Sequence, residues 1–103
     1  MKEKAFENKV KAFLKKDGCY FVKYFGCAFT QAGVPDLLCC VGGRFVAVEL
    51  KSENGKPSNL QIYNIEEIKK SGGIAFVLYP QNFEEFKTVI RKLKNDYLQS
   101  LKS

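Results

Sequence analysis

The sequence predicts an α/β fold with the element order αβββαβα, and three observations carry that expectation. Apolar residues recur at helical spacing at both ends of the chain. A Gly42-Gly43 pair joins two apolar runs as a hairpin turn would, and a strand, a helix and another strand follow in residues 44–79. The 103 residues, 46% of them apolar, suit one compact domain spanning 1–103 with a single core. No repeat or Pro/Ser-rich linker divides them.

The first helix is expected over residues 2–16. Ala5, Phe6, Val10, Phe13 and Leu14 share one stripe, the lysines around them take other faces, and Asp17-Gly18 supplies a stop. Residues 19–25, aromatic and valine-rich, read as a strand running into a loop over 26–34. Two further strands, 36–41 and 44–51, flank the glycine turn, whose primed geometry needs positive φ at its centre. Pro35 suits the start of a strand. After Pro57, Leu60, Tyr63, Ile65 and Ile68 mark a second helix that Gly72-Gly73 ends. Residues 74–79 form a buried strand, expected to lie parallel to the third through a right-handed crossover. Asn82 is placed to cap a last helix with Glu85 at the capping-box position, and its inner stripe runs from Phe83 through Phe86, Val89, Ile90 and Leu93 to Tyr97.

Composition narrows the chemistry. Seventeen Lys and Arg against eleven Asp and Glu give +6, which favours a polyanionic partner, nucleic acid first. Histidine is absent, which removes the usual general base, the Ser/His and Cys/His nucleophile pairs and the commonest zinc ligand. Catalysis must then rest on carboxylates, lysines or a bound metal. The four cysteines include no Cys-x-x-Cys pair and are expected to be reduced core thiols. No apolar run is long enough to span a bilayer, and residues 1–4 lead into no signal segment, so the expectation is a soluble, cytoplasmic protein with no membrane partner.

The hairpin has a chemical consequence. If Gly42 and Gly43 are the turn, facing pairs sum to 85 and Asp36 lies opposite Glu49. At about 5 Å and an effective dielectric near 20, two carboxylates repel by roughly 3 kcal/mol. Protonation of one acid, a neighbouring cation or a divalent metal between them can offset that. Lys51, two residues beyond Glu49, emerges on the same strand face. The competing reading is an ordinary solvated strand with Asp36 capping a turn, since a slip of one residue would part the two acids.

These residues form a recognisable set: Gly33-Val34-Pro35-Asp36, then Glu49-Leu50-Lys51, then Gln61 early in the next helix. The chain resembles the PD-(D/E)XK nuclease superfamily and, within it, the VRR-NUC family, whose motifs run G-x-P-D, E-x-K and a helical glutamine. The resemblance implies a restriction-endonuclease-like αβββαβ core, a central mixed sheet flanked by helices, here with an extra C-terminal helix. It also implies a Mg²⁺-dependent DNA endonuclease, with Mn²⁺ able to substitute. Asp36, Glu49 and the backbone carbonyl of Leu50 would hold the metal, Lys51 would lie beside the attacking water or the scissile phosphate, and Gln61 would orient that group. Glu7 on the first helix is the candidate for a further metal-site or water-positioning role, with Glu3 one turn away as fallback. Stand-alone relatives are common in bacteriophages, which would place the protein in the host cytoplasm. They often cut flapped, branched or Holliday-junction DNA as homodimers, and the apolar stripe of the last helix could serve that interface or simply cover the sheet.

Lys23, Thr30, Gln31 and Lys56 are placed to contact the DNA backbone, and Phe29 to wedge against an unpaired base. Two alternatives stand beside the nuclease. One is a catalytically silent module of the same fold that binds nucleic acid or a partner. The other is an RNA-recognition module prompted by Gly43-Arg44-Phe45-Val46, which would need the order βαββαβ.

Overall fold

A computed structural model describes residues 2–102. The elements are α1 (Glu3–Lys16), β1 (Tyr20–Lys23), β2 (Leu37–Val41), β3 (Arg44–Leu50), α2 (Asn59–Lys70), β4 (Ile74–Leu78) and α3 (Phe83–Ser100), with a 3₁₀ turn at Pro80–Asn82 before the last helix. This is the expected order, and it excludes βαββαβ.

Gly42 and Gly43 have φ of +56° and +76°, the paired positive values of a type I′ turn. The turn fixes the register: Val41 faces Arg44 and Leu37 faces Val48, so facing pairs do sum to 85. β1 adds antiparallel to β2, and β4 lies parallel to β3 after the α2 crossover, giving a mixed sheet in the order β1-β2-β3-β4.

Strand alternation divides the apolar residues between two faces. Leu37, Cys39, Val46, Val48, Leu50 and Leu78 turn toward α1 and α3, where Phe6, Val10, Leu14, Phe86 and Ile90 close the main core. Phe83 meets Phe6 edge-on at 5.6 Å, and Phe76 meets Phe86 edge-on at 5.3 Å. Burial of a side chain such as Phe86 stabilises the fold by about 2 to 3 kcal/mol. On the other face Ala47 and Ala75 are small enough for α2 to approach, and Ile65 packs onto them.

Three expectations are corrected. Asn82 makes no capping hydrogen bond to α3; its Oδ1 accepts from the Tyr79 backbone N–H at 2.8 Å, because Pro80 opens a tight turn that draws the side chain backward. Tyr97 is 45% exposed and lies outside the inner stripe, while Phe86 and Ile90 are fully buried against the sheet, so the apolar stripe of α3 is spent on covering it. Only Cys19 and Cys39 are core thiols; Cys27 lies in a loop, and alternation sends Cys40 to the α2 side of the sheet, on the part that α2 leaves uncovered. All four are unpaired. Among the described residues no helix is long and apolar enough to cross a membrane.

Candidate active site

The hairpin register, carried one step past Leu37 and Val48, brings Asp36 opposite Glu49 at the mouth of the β2–β3 pair. Glu49 is 2% exposed on the face covered by α2. Its Oε2 accepts from Gln61 Nε2 at 2.9 Å and lies 3.4 Å from Lys51 Nζ. Its Oε1 is buried with no hydrogen-bond partner. Asp36 accepts the Leu50 backbone N–H at 2.8 Å through Oδ2, which sets the Leu50 peptide beside its carboxylate. Burial, reinforced by the negative charge of Asp36, raises the Glu49 pKa to about 7 against the opposing pull of Lys51.

Gln61 is aimed by the start of α2. Ser58 caps the helix by accepting the Gln61 N–H at 3.1 Å, and Gln61 Oε1 in turn accepts the Ser58 N–H at 2.8 Å. With its oxygen held by that N–H, the amide can present only its nitrogen to Glu49. The S-x-x-Q pattern at Ser58-Asn59-Leu60-Gln61 is the sequence signal for this box. Lys51 is held from the other side, its own N–H donating to Leu78 of β4 at 3.0 Å.

Glu7 is buried, but it faces the opposite side of the sheet from Glu49, within a cage of lysines. Its Oε2 lies 3.2 Å from Lys4 Nζ and 3.1 Å from Lys11 Nζ, and its Oε1 lies 2.8 Å from Lys23 Nζ. Burial alone would raise its pKa; the lysines reverse that and lower it to about 2. Lys23 also reaches Asp36 Oδ1 at 3.4 Å. Burial opposes the charge on Lys23, yet the bond to Glu7 and the nearby Asp36 outweigh it and raise its pKa. Glu7 thus touches the Asp36–Glu49 pair only through Lys23. Glu3 is exposed on the first turn of α1.

The loop preceding Asp36 is pinned by a residue that sequence reasoning missed. Asn64, one turn beyond Gln61 and buried, accepts from Gln31 Nε2 at 3.0 Å and donates to the Leu60 carbonyl at 2.9 Å. Its only signal in the sequence is a polar side chain at a buried position of α2. Tyr24 donates its hydroxyl to the Gln31 carbonyl at 2.6 Å. Gly33, at φ +81°, passes so near α2 that a Cβ there would sit 2.8 Å from the Leu60 carbonyl oxygen. Thr30 is occupied by the Cys27 backbone, Phe29 is 97% exposed at the loop tip, and Lys56 is exposed between β3 and α2. Among the nucleic-acid candidates, Lys23 alone points its ammonium inward, between two carboxylates.

Among the described residues no three Cys, Asp or Glu side chains converge as a ready metal cluster. The donors at Asp36 and Glu49 nevertheless suit a hard divalent cation, which typically takes one or two carboxylates and keeps several waters. The orphaned Glu49 Oε1 is where such an ion would find a buried oxygen waiting.

A family model described as archaeal Holliday junction resolvase (Hjc) matches residues 1–95. It bears out the nuclease resemblance at the level of the superfamily, while the VRR-NUC likeness remains one of motifs. No curated protein matches the chain.

Proposed function

This chain belongs to the archaeal Holliday junction resolvase family, a PD-(D/E)XK-type nuclease family, and on that premise we propose that it hydrolyses phosphodiester bonds of four-way-junction DNA with a divalent metal, Mg²⁺ or Mn²⁺. The observation that carries the reading is the Glu49 carboxylate: buried, opposite Asp36, shared by Lys51 and Gln61 through one oxygen and left unpartnered at the other. Asp36, Glu49 and the Leu50 carbonyl would hold the ion. When bound, it supplies charge neutralisation and an acidified water, which a chain without histidine must obtain elsewhere.

The residues do the rest. Lys51, fixed by β4 and by Glu49, stabilises charge developing on the phosphate. Gln61 holds Glu49 in one rotamer through an amide whose orientation is set by the α2 cap. The net charge of +6 draws the DNA backbone toward the site without reading its sequence.

Resolving a junction requires cuts in two strands, hence two sites related by a two-fold axis, and a homodimer supplies them. The face left open beside α2 suits a second copy: Tyr20, Val22 and Phe45 are 73%, 43% and 46% exposed there, around Leu38 and Cys40.

A cleavage panel tests the proposal, using labelled linear duplex, flap and four-way junction with Mg²⁺ or Mn²⁺, for wild type beside Lys51→Ala. Junction cutting that falls at least about 100-fold in the variant is expected. Equal cutting by both proteins, or none on any substrate with either metal, refutes it and leaves the silent module.

A further inference from the structure

We propose that the Lys23 ammonium is the second cation of this site, so that the chain binds one divalent ion, at Asp36 and Glu49, and none at Glu7. This rests on the metal-dependent reading above and deepens it. Glu7 and Glu49 lie on opposite faces of the sheet, and Asp36 lies between them at its end. A third carboxylate on α1 invites a second metal between Glu7 and Asp36. That place is filled by Lys23 Nζ, 2.8 Å from Glu7 Oε1 and 3.4 Å from Asp36 Oδ1.

The ammonium is built in. Lys23 is the cross-strand partner of Leu37, the residue after Asp36, and the next N–H, of Tyr24, donates to the Asp36 carbonyl at 2.8 Å. Its side chain is 20% exposed, with the stem packed away from solvent. Glu7 is already neutralised on its other oxygen by Lys4 and Lys11, so a divalent ion arriving there would meet three positive charges rather than a free carboxylate. Glu7 is accordingly a positioning residue: it anchors Lys23, and Lys23 places a permanent positive charge against Asp36. The residues spend a lysine where a second ion would otherwise be needed, and the metal requirement reduces to one binding event.

Manganese titration of the whole protein, read by calorimetry and by the loss of free-Mn²⁺ spin resonance, tests this without recourse to activity. Wild type is expected to take up one Mn²⁺ per chain. Lys23→Met, with its fold checked by circular dichroism, leaves Glu7 Oε1 and Asp36 Oδ1 facing each other and is expected to take up two. Adding Glu7→Gln to Lys23→Met is expected to return the count to one. Two ions in wild type, or one in a folded Lys23→Met protein, overturns the inference while leaving the metal reading intact. No uptake by wild type at all overturns the metal reading itself.

Discussion

Replacing Glu49 by Gln is expected to strengthen the metal-free fold while destroying metal binding. The Glu49 pKa stands at about 7 against an ordinary 4.5, chiefly through burial and then through Asp36. An acid whose pKa is raised by folding costs nothing while both states are protonated. As pH climbs past 4.5 the unfolded chain ionises first, and the folded state falls behind until pH 7, where the deficit is complete. The 2.5-unit displacement corresponds to about 3 kcal/mol. Glutamine mimics the protonated acid and keeps an oxygen for Gln61, so it escapes the penalty. Urea unfolding in chelator, from pH 4 to 8, should show wild type and Glu49→Gln nearly coincident at pH 4 and separated by about 3 kcal/mol at pH 7.5, the variant being the more stable. In a domain of this size that separation is roughly 12 to 20 °C in midpoint. Mn²⁺ at about 1,000 times its Kd should then reverse the order, since it stabilises only the protein that binds it, by about 4.1 kcal/mol, more than the gap it must overcome. Parallel stability curves across the pH range would refute the crowding on which the proposed metal site rests.

Glu7 has the opposite sign. Its pKa of about 2 makes its contribution fully present above pH 4.5 and lost as pH falls toward 2, so Glu7→Gln should cost about 3 kcal/mol at pH 7 and flatten the acid limb of the unfolding curve. An unchanged acid limb would mean the lysine cage does not hold that carboxylate. Val22→Asp, on the open face of the sheet, should convert a dimer to a monomer in sedimentation velocity with the circular dichroism spectrum intact. A wild type that sediments as a monomer at all concentrations, or a variant that remains dimeric, would send the interface elsewhere.

Register was legible because it is local. Two adjacent glycines with positive φ leave the hairpin one comfortable turn, and the turn dictates that Asp36 and Glu49 meet. Gln61 was legible as a residue type in a motif, and the Ser58 pattern beside it holds the reason its amide can face only one way. The surroundings of Glu7 were legible only in part. Lys4 and Lys11 follow from spacings of three and four along one helix. Lys23 is 16 residues away, and its approach depends on how β1 packs beneath α1, which no local pattern encodes. The same limit explains Tyr97. Its spacing suits an inner stripe, but the 18-residue α3 is about 27 Å long, whereas the five-residue strands β2 and β4 it crosses reach only about 17 Å. The last turns therefore overhang the sheet, and a side chain in phase with the core finds no core to enter. Periodicity tells which way a residue points; only the extent of the opposing layer decides whether anything is there. At the Asp36 end of the sheet that distinction separates the acids as well: Glu7 and Glu49 are both in phase with a buried layer, but with different layers, and on the reading proposed above the lysine that reaches both Glu7 and Asp36 is what would leave one acid for a metal and make the other an anchor.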